Sequence, residues 1–338
     1  MNQPNDPGDQ SPQPIPITLV VYRELRIGMA VIMVMLSAAI IIDRMSAPRW
    51  QMALSEYFYT SAHSVFIAAL LALSTLFFVY KGRSDTEDAF LTLAGVCTFT
   101  AALVPQGPPE VFGKNGLPED YPVKAVILPN VSAVVVALVL GWLLALVQYR
   151  LTHTPRTRSP GGTLALYFLR LVVAVALIAL ICFPDKFVDH AHGAAGVLML
   201  LSFIAAVFSA AYAAEPEPEP EPESKTPPRR FYPKVYRGIA WLMLVTLFAV
   251  VTLHIVLPHL DRGLWILVLE TSLILEFAAF WVVQSIELWN TPDPRERVDA
   301  AARRLCADGQ TKPGISGLKD ELDKARKRPR GERLIPLL

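Results

Sequence analysis

Six histidines and a few membrane-depth charges are the residues of this sequence whose chemistry could amount to more than packing. His63, His190, His192, His254 and His259 fall at ends of apolar runs that share one side, the outer one by the charge count below. Only His153 falls on the other side. Neutral imidazole binds metals and exchanges protons near neutral pH, and Asp185 and Asp189 join the same side. Two ligands on one helix face need i, i+4 spacing. His190 and His192 sit in a loop ahead of a run, and His254 and His259 are separated by Pro258, so neither pair has that spacing. The pattern therefore assigns no metal and no cofactor, and interfacial histidines account for it.

Three ionisable residues stand out well inside apolar runs, away from their ends: Arg170, Glu270 and Glu276. A charge there is costly and is by default a functional candidate. At about 1.5 Å rise per residue, Arg170 and Glu276 reach nearly the same depth, so an ion pair is expected, the other outcome being that Arg170 snorkels to the surface. Glu270 and Glu276 are about 240° apart around a helix and cannot form one carboxylate pair. Glu270 lies near the level of His254, across a hairpin closed by Pro258 to Arg262. His63, His192, His254 and Glu270 thus define a candidate polar pocket facing outward.

The elements that must position these groups are membrane spans. The chain has 338 residues, 53% hydrophobic and 18% charged, against about 25% charged in soluble domains. A hydrocarbon core of about 30 Å needs roughly 20 apolar residues of helix. Runs near 25–43, 63–80, 88–105, 125–148, 163–183, 193–213, 235–257 and 263–285 meet or approach that length. They are apolar all round, where soluble helices keep a polar face, so the fold class is an all-α polytopic transmembrane bundle of about eight spans. Pro129-Asn130 is expected to mark a break or the true start of the fourth.

Lysine and arginine in short connections set orientation. One side holds Arg23, Arg26, Lys81, Arg83, Arg150, Arg156, Arg158, Lys225, Arg229, Arg230, Lys234 and Arg237. The other holds Arg44, Arg49, Lys114, Lys124, Lys186 and Arg262. The richer side is cytoplasmic, which puts both termini there, in a multi-pass protein of the inner (plasma) membrane. Residues 1–24 read as a disordered tail, whose polar start is unlike a cleaved leader. Between 214 and 234 the repeated Glu-Pro pairs make an extended spacer. The tail 286–338 ends in Arg326-Lys327-Arg328-Pro329-Arg330, suited to anionic inner-leaflet lipid. It has no interleaved aromatics, so nucleic acid is not an expected partner. Cys97, Cys182 and Cys306 make no disulfide framework.

Ser55-Glu56-Tyr57-Phe58-Tyr59-Thr60, Val65-Phe66-Ile67, Tyr80-Lys81-Gly82, Leu93-Ala94-Gly95 and Ala102 to Pro105, with His192, Glu270-Thr271, Phe277 and Trp281, carry a resemblance. The sequence resembles a family of uncharacterised bacterial multi-span membrane proteins, in which a Ser-x-Tyr-Tyr-Tyr-Thr stretch leads into a span ending in Tyr-Arg-Gly. It departs from them where His63-Ser64 replaces an Arg-Asp pair, and in the Glu-Pro insert and basic tail. The resemblance implies the fold and no activity. No phosphate-binding loop, serine elbow, redox cysteine pair or haem motif occurs. The expectation is a non-enzymatic carrier or structural component; the alternative is a metal-dependent lipid hydrolase built on the outer histidines.

Overall fold

A computed structural model describes residues 17–47, 50–107, 116–118, 121–152, 159–214, 231–257 and 264–289. His153, His259, the Glu-Pro run, the hairpin connection expected at Pro258 to Arg262 and the tail from 290 onward lie outside the described residues. Eight α-helices appear among the described residues: α1 Ile17–Ser46, α2 His63–Val79, α3 Asp85–Leu103, α4 Val123–Thr152, α5 Pro160–Cys182, α6 Pro184–Ala213, α7 Phe231–Val256 and α8 Trp265–Glu287. A 3-10 helix, Leu54–Tyr59, precedes α2, and no strand occurs among the described residues. Six of the eight, all but α2 and α3, are long and apolar enough to cross a membrane. α2 is apolar but has 17 residues, and α3 carries Asp85, Glu87 and Asp88 in its first turn.

The helices coincide with the eight expected runs, and the differences lie at their ends. α1 begins at Ile17 rather than near 25, so residues 17–24 are helical and not part of a tail. α6 begins at Pro184, which places His190 and His192 on a helix instead of in a loop. Proline at the first helical position has its φ preset and loses no bond, and Asp185 behind it suits the positive end of the dipole. α4 continues through Pro129 without the expected break. The bond a proline removes there is only the second or third of a long ladder, and lipid leaves the backbone no alternative to helix.

α3 and α6 form the centre of the bundle. α2 and α5 pack on α3, α7 packs on α6 and on α8, and α1 lies against α2 and α8. Small residues allow this closeness: Ala94, Ala206, Ala210 and Ala240 are fully buried. At Gly95 a Cβ would stand 3.2 Å from the Ser74 carbonyl oxygen of α2, while the Ser74 hydroxyl donates to the Gly95 carbonyl at 2.5 Å. Small residues and hydroxyl bonds of this kind hold membrane helices together where lipid supplies no hydrophobic drive. Aromatic rings fill the rest, with Phe203 stacked on Phe277 at 4.1 Å and Phe77 edge-on to both. α4 packs chiefly on α3 and α6, and Val136, Leu140 and Leu144 along it are exposed.

The alternation of helices gives two poles. α2, α4, α6 and α8 begin at one, which carries His63, His192 and His254 and is called the histidine pole below. α1, α3, α5 and α7 begin at the other, the arginine pole.

Candidate functional site

At the histidine pole the 3-10 segment lies buried against the bundle, with Ser55, Tyr57, Phe58 and Tyr59 all enclosed. Irregular backbone enclosed in a bundle must find its hydrogen bonds inside the protein, and several groups of this segment have such partners. The Leu54 N–H donates to Glu270 of α8 at 2.8 Å, and the Met52 N–H to Glu56 at 2.8 Å. The Leu267 N–H reaches the Met52 carbonyl at 3.0 Å. Tyr59 donates its hydroxyl to the Gln106 carbonyl at 2.7 Å, and Ser55 donates to the Gln106 side chain at 3.0 Å. Asp43, at the end of α1, accepts both the Ser61 N–H and its hydroxyl. Burial pushes the phenols of Tyr57 and Tyr59 up to about 12.

The expected pocket residues have separate partners. His63 Nδ1 lies 2.5 Å from the Phe58 carbonyl, which makes Nδ1 the protonated nitrogen, and its ring meets the Phe58 ring at 4.6 Å. His192 Nδ1 lies 2.6 Å from the Val104 carbonyl at the end of α3. His254 stacks on Trp265 at 4.2 Å. His63 and Glu270 therefore hold the same segment from its two ends, whereas His192 and His254 brace other contacts. Among the described residues no group of three His, Cys, Asp or Glu side chains could hold a metal ion.

The Arg170–Glu276 pair expected from matching depth is replaced. Glu276 turns to α7 and accepts the Thr246 hydroxyl at 2.6 Å, and its second carboxylate oxygen is buried with no hydrogen-bond partner. Arg170 lies over the Tyr167 ring of its own helix at 5.6 Å. Depth alone does not separate the faces of α8: Glu276 meets Thr246 of α7.

The densest polar cluster lies at the arginine pole, and the sequence did not single it out. Glu87 is wholly buried, accepting from Gln284 at 2.9 Å and from the Arg83 N–H at 2.9 Å. Gln284 in turn accepts the Tyr80 hydroxyl at 3.3 Å. Asp88 accepts the Gly82 N–H at 2.7 Å. Glu287 pairs with Arg83 and accepts the Tyr236 hydroxyl. Burial works against the Arg83 charge, but Glu287 and Tyr236 outweigh it and raise its affinity for the proton. Asp85 caps α5 from the side, accepting from the Ser159 N–H and hydroxyl. On α1, Arg23 and Arg26 donate to the Trp289 and Leu288 carbonyls just past the end of α8, where positive charge suits the helix dipole. The signal for this cluster was Ser84-Asp85-Thr86-Glu87, spaced as a helix start, with Arg83 before it and Gln284 and Glu287 ending the last run.

No family model, no curated protein and no solved structure matches this chain.

Proposed function

We propose that the chain is an eight-span protein of the inner membrane with the arginine pole and both termini in the cytoplasm, acting as a non-enzymatic carrier of a small solute. The lysine and arginine excess on that side supports the orientation. The observation that carries the carrier reading is the contact between Glu270 and the Leu54 N–H. It joins an ionisable group of a spanning helix to the irregular segment that closes the outer end. Carriers place unwound backbone and ionisable side chains together where solute and coupling ion meet. Protonation of Glu270 removes the charge that holds Leu54, so the segment and the proton are coupled. Lipid hydrolysis on a metal-bound water needs about three protein ligands around one ion, and no described group offers them.

The test uses purified protein in liposomes loaded with a pH-sensitive dye and given an outside acid step. The account expects the lumen to acidify several-fold faster than in protein-free vesicles, and Glu270→Gln to remove the difference. Equal rates with and without wild-type protein would refute the proton-linked carrier.

A further inference from the structure

Glu270, Leu273, Phe277, Trp281, Gln284 and Glu287 recur every three or four residues along α8, which puts them on one face. Their contacts run from the segment ahead of α2 to the connection after it. Glu270 accepts the Leu54 N–H at 2.8 Å. The Phe277 and Phe77 rings stand 6.0 Å apart, and the Trp281 and Tyr80 rings 4.6 Å. Gln284 bonds Tyr80 and Glu87, and Glu287 pairs with Arg83 between α2 and α3. The close helix packing of α8 is with α7, α6 and α1. Toward α2 and α3, rings fill the middle of the seam and a charged group closes each end. The inner tie also takes in α7: Tyr236 donates to Glu287, and the Arg83 guanidinium carbon lies 5.6 Å from the Tyr236 ring centre. The Arg83 and Glu287 side chains are 10% and 16% exposed, whereas Gln284, one turn deeper, is 1% exposed. The pair is thus the outermost tie of the seam at the arginine pole.

We infer that Arg83 and Glu287 form the inner gate of this seam, and that Glu270 at Leu54 forms its outer gate. The inference rests on the carrier reading and adds the device that lets one end open while the other stays shut, as alternating access requires. Each tie joins a carboxylate of regular α8 to irregular backbone. Arg83 stands between the end of α2 at Val79 and the start of α3 at Asp85, and Leu54 opens the 3-10 segment. Loop positions of this kind absorb the backbone change when packed elements part. Breaking the inner pair strands the Arg83 charge in a buried setting, which is strongly unfavourable, and a long arginine side chain relieves this by carrying its head to water. The turn itself stays tied within the hairpin, because the Gly82 and Arg83 N–H groups donate to Asp88 and Glu87 of α3. Neutralising Glu287 therefore opens the inner end, and neutralising Glu270 opens the outer end.

The experiment places a single cysteine at Phe277, buried near the middle of the stripe, in the full chain with Cys97, Cys182 and Cys306 replaced. A membrane-impermeant thiol reagent is applied to intact cells and to inverted membrane vesicles, and the labelling rate is measured on each face. This parent chain is expected to label slowly from both. Glu287→Gln should speed labelling several-fold from the arginine-pole face alone, and Glu270→Gln from the histidine-pole face alone. Arg83→Gln should reproduce the Glu287→Gln result and carries the test should that variant fail to fold. A rate left unchanged at the arginine-pole face overturns the inner gate, and one left unchanged at the histidine-pole face overturns the outer gate. Faster labelling from both faces alike also overturns the inference, because the ties are then braces whose loss loosens the whole bundle. The readout needs no transport: sided labelling in a protein that leaves vesicle pH unchanged would retain the gates and remove only the proton as cargo.

Discussion

Gln284 is the keystone of the arginine pole, and its removal has a cost that follows from its two bonds. The side chain is 1% exposed; its amide NH2 donates to Glu87 and its oxygen accepts from Tyr80. Gln284→Leu keeps the approximate volume but strands a carboxylate oxygen and a phenol hydroxyl, each on a different helix or loop. A stranded buried group costs about 1–3 kcal/mol in soluble proteins, whereas single interhelical bonds in membranes average about 0.6 and reach about 1.7 kcal/mol. Two groups near the upper membrane value, less a gain for burying more hydrocarbon, leave about 2 kcal/mol. That is roughly a thirtyfold fall in the folded-to-unfolded ratio. The assay is reversible unfolding in mixed micelles for wild type, Gln284→Leu, Tyr80→Phe and the double variant. If Gln284 bridges as described, the double variant is less destabilised than the sum by roughly 1 kcal/mol. A Gln284→Leu effect below about 0.5 kcal/mol, or strict additivity with Tyr80→Phe, would refute the reasoning.

Other outcomes follow from single contacts. Glu276→Gln keeps an acceptor for Thr246 and removes an ionisable group whose second oxygen has no partner; unfolding measurements should find it unchanged or more stable, and a loss beyond about 1 kcal/mol would contradict this. Gly95→Leu forces a side chain into the 3.2 Å approach to Ser74 and should destabilise by about 1–3 kcal/mol or more, read as a lower melting midpoint. Burial raises Tyr57 from 10.0 to about 12, so the folded state favours the neutral phenol. That contribution is full below pH 10 and is lost as pH rises toward 12. Tyr57→Phe should therefore flatten the alkaline fall in stability between those values, and an unchanged slope would count against the burial of the phenol.

The bundle was legible in the sequence because long apolar runs leave the backbone a single structure, and all eight runs became helices. The ends were less so, because a helix start depends on one capping residue. Phe183-Pro184 and Ser84 each moved charged residues from an expected connection into a helix. The contacts of the candidate pocket residues were less legible. Glu270 and His63 do meet one segment, but period and depth cannot say which neighbour a face looks toward, so Glu276 went to Thr246 and not to Arg170. The cluster around Glu87 was hidden for a different reason. Its members come from three separated stretches at run boundaries, where charge normally reads as solvated connection.

The central claim, that all eight helices span, rests most heavily on α2, which is apolar but short, and α3, which carries three acidic residues in its first turn. Single cysteines at Met45, Lys81 and Gly107, in a chain with Cys97, Cys182 and Cys306 replaced, bracket these two helices. With a membrane-impermeant maleimide on intact cells, the account predicts labelling at 45 and 107, and labelling at 81 only after permeabilisation. Labelling of all three from outside would contradict it, leaving α2 and α3 as a hairpin that never crosses.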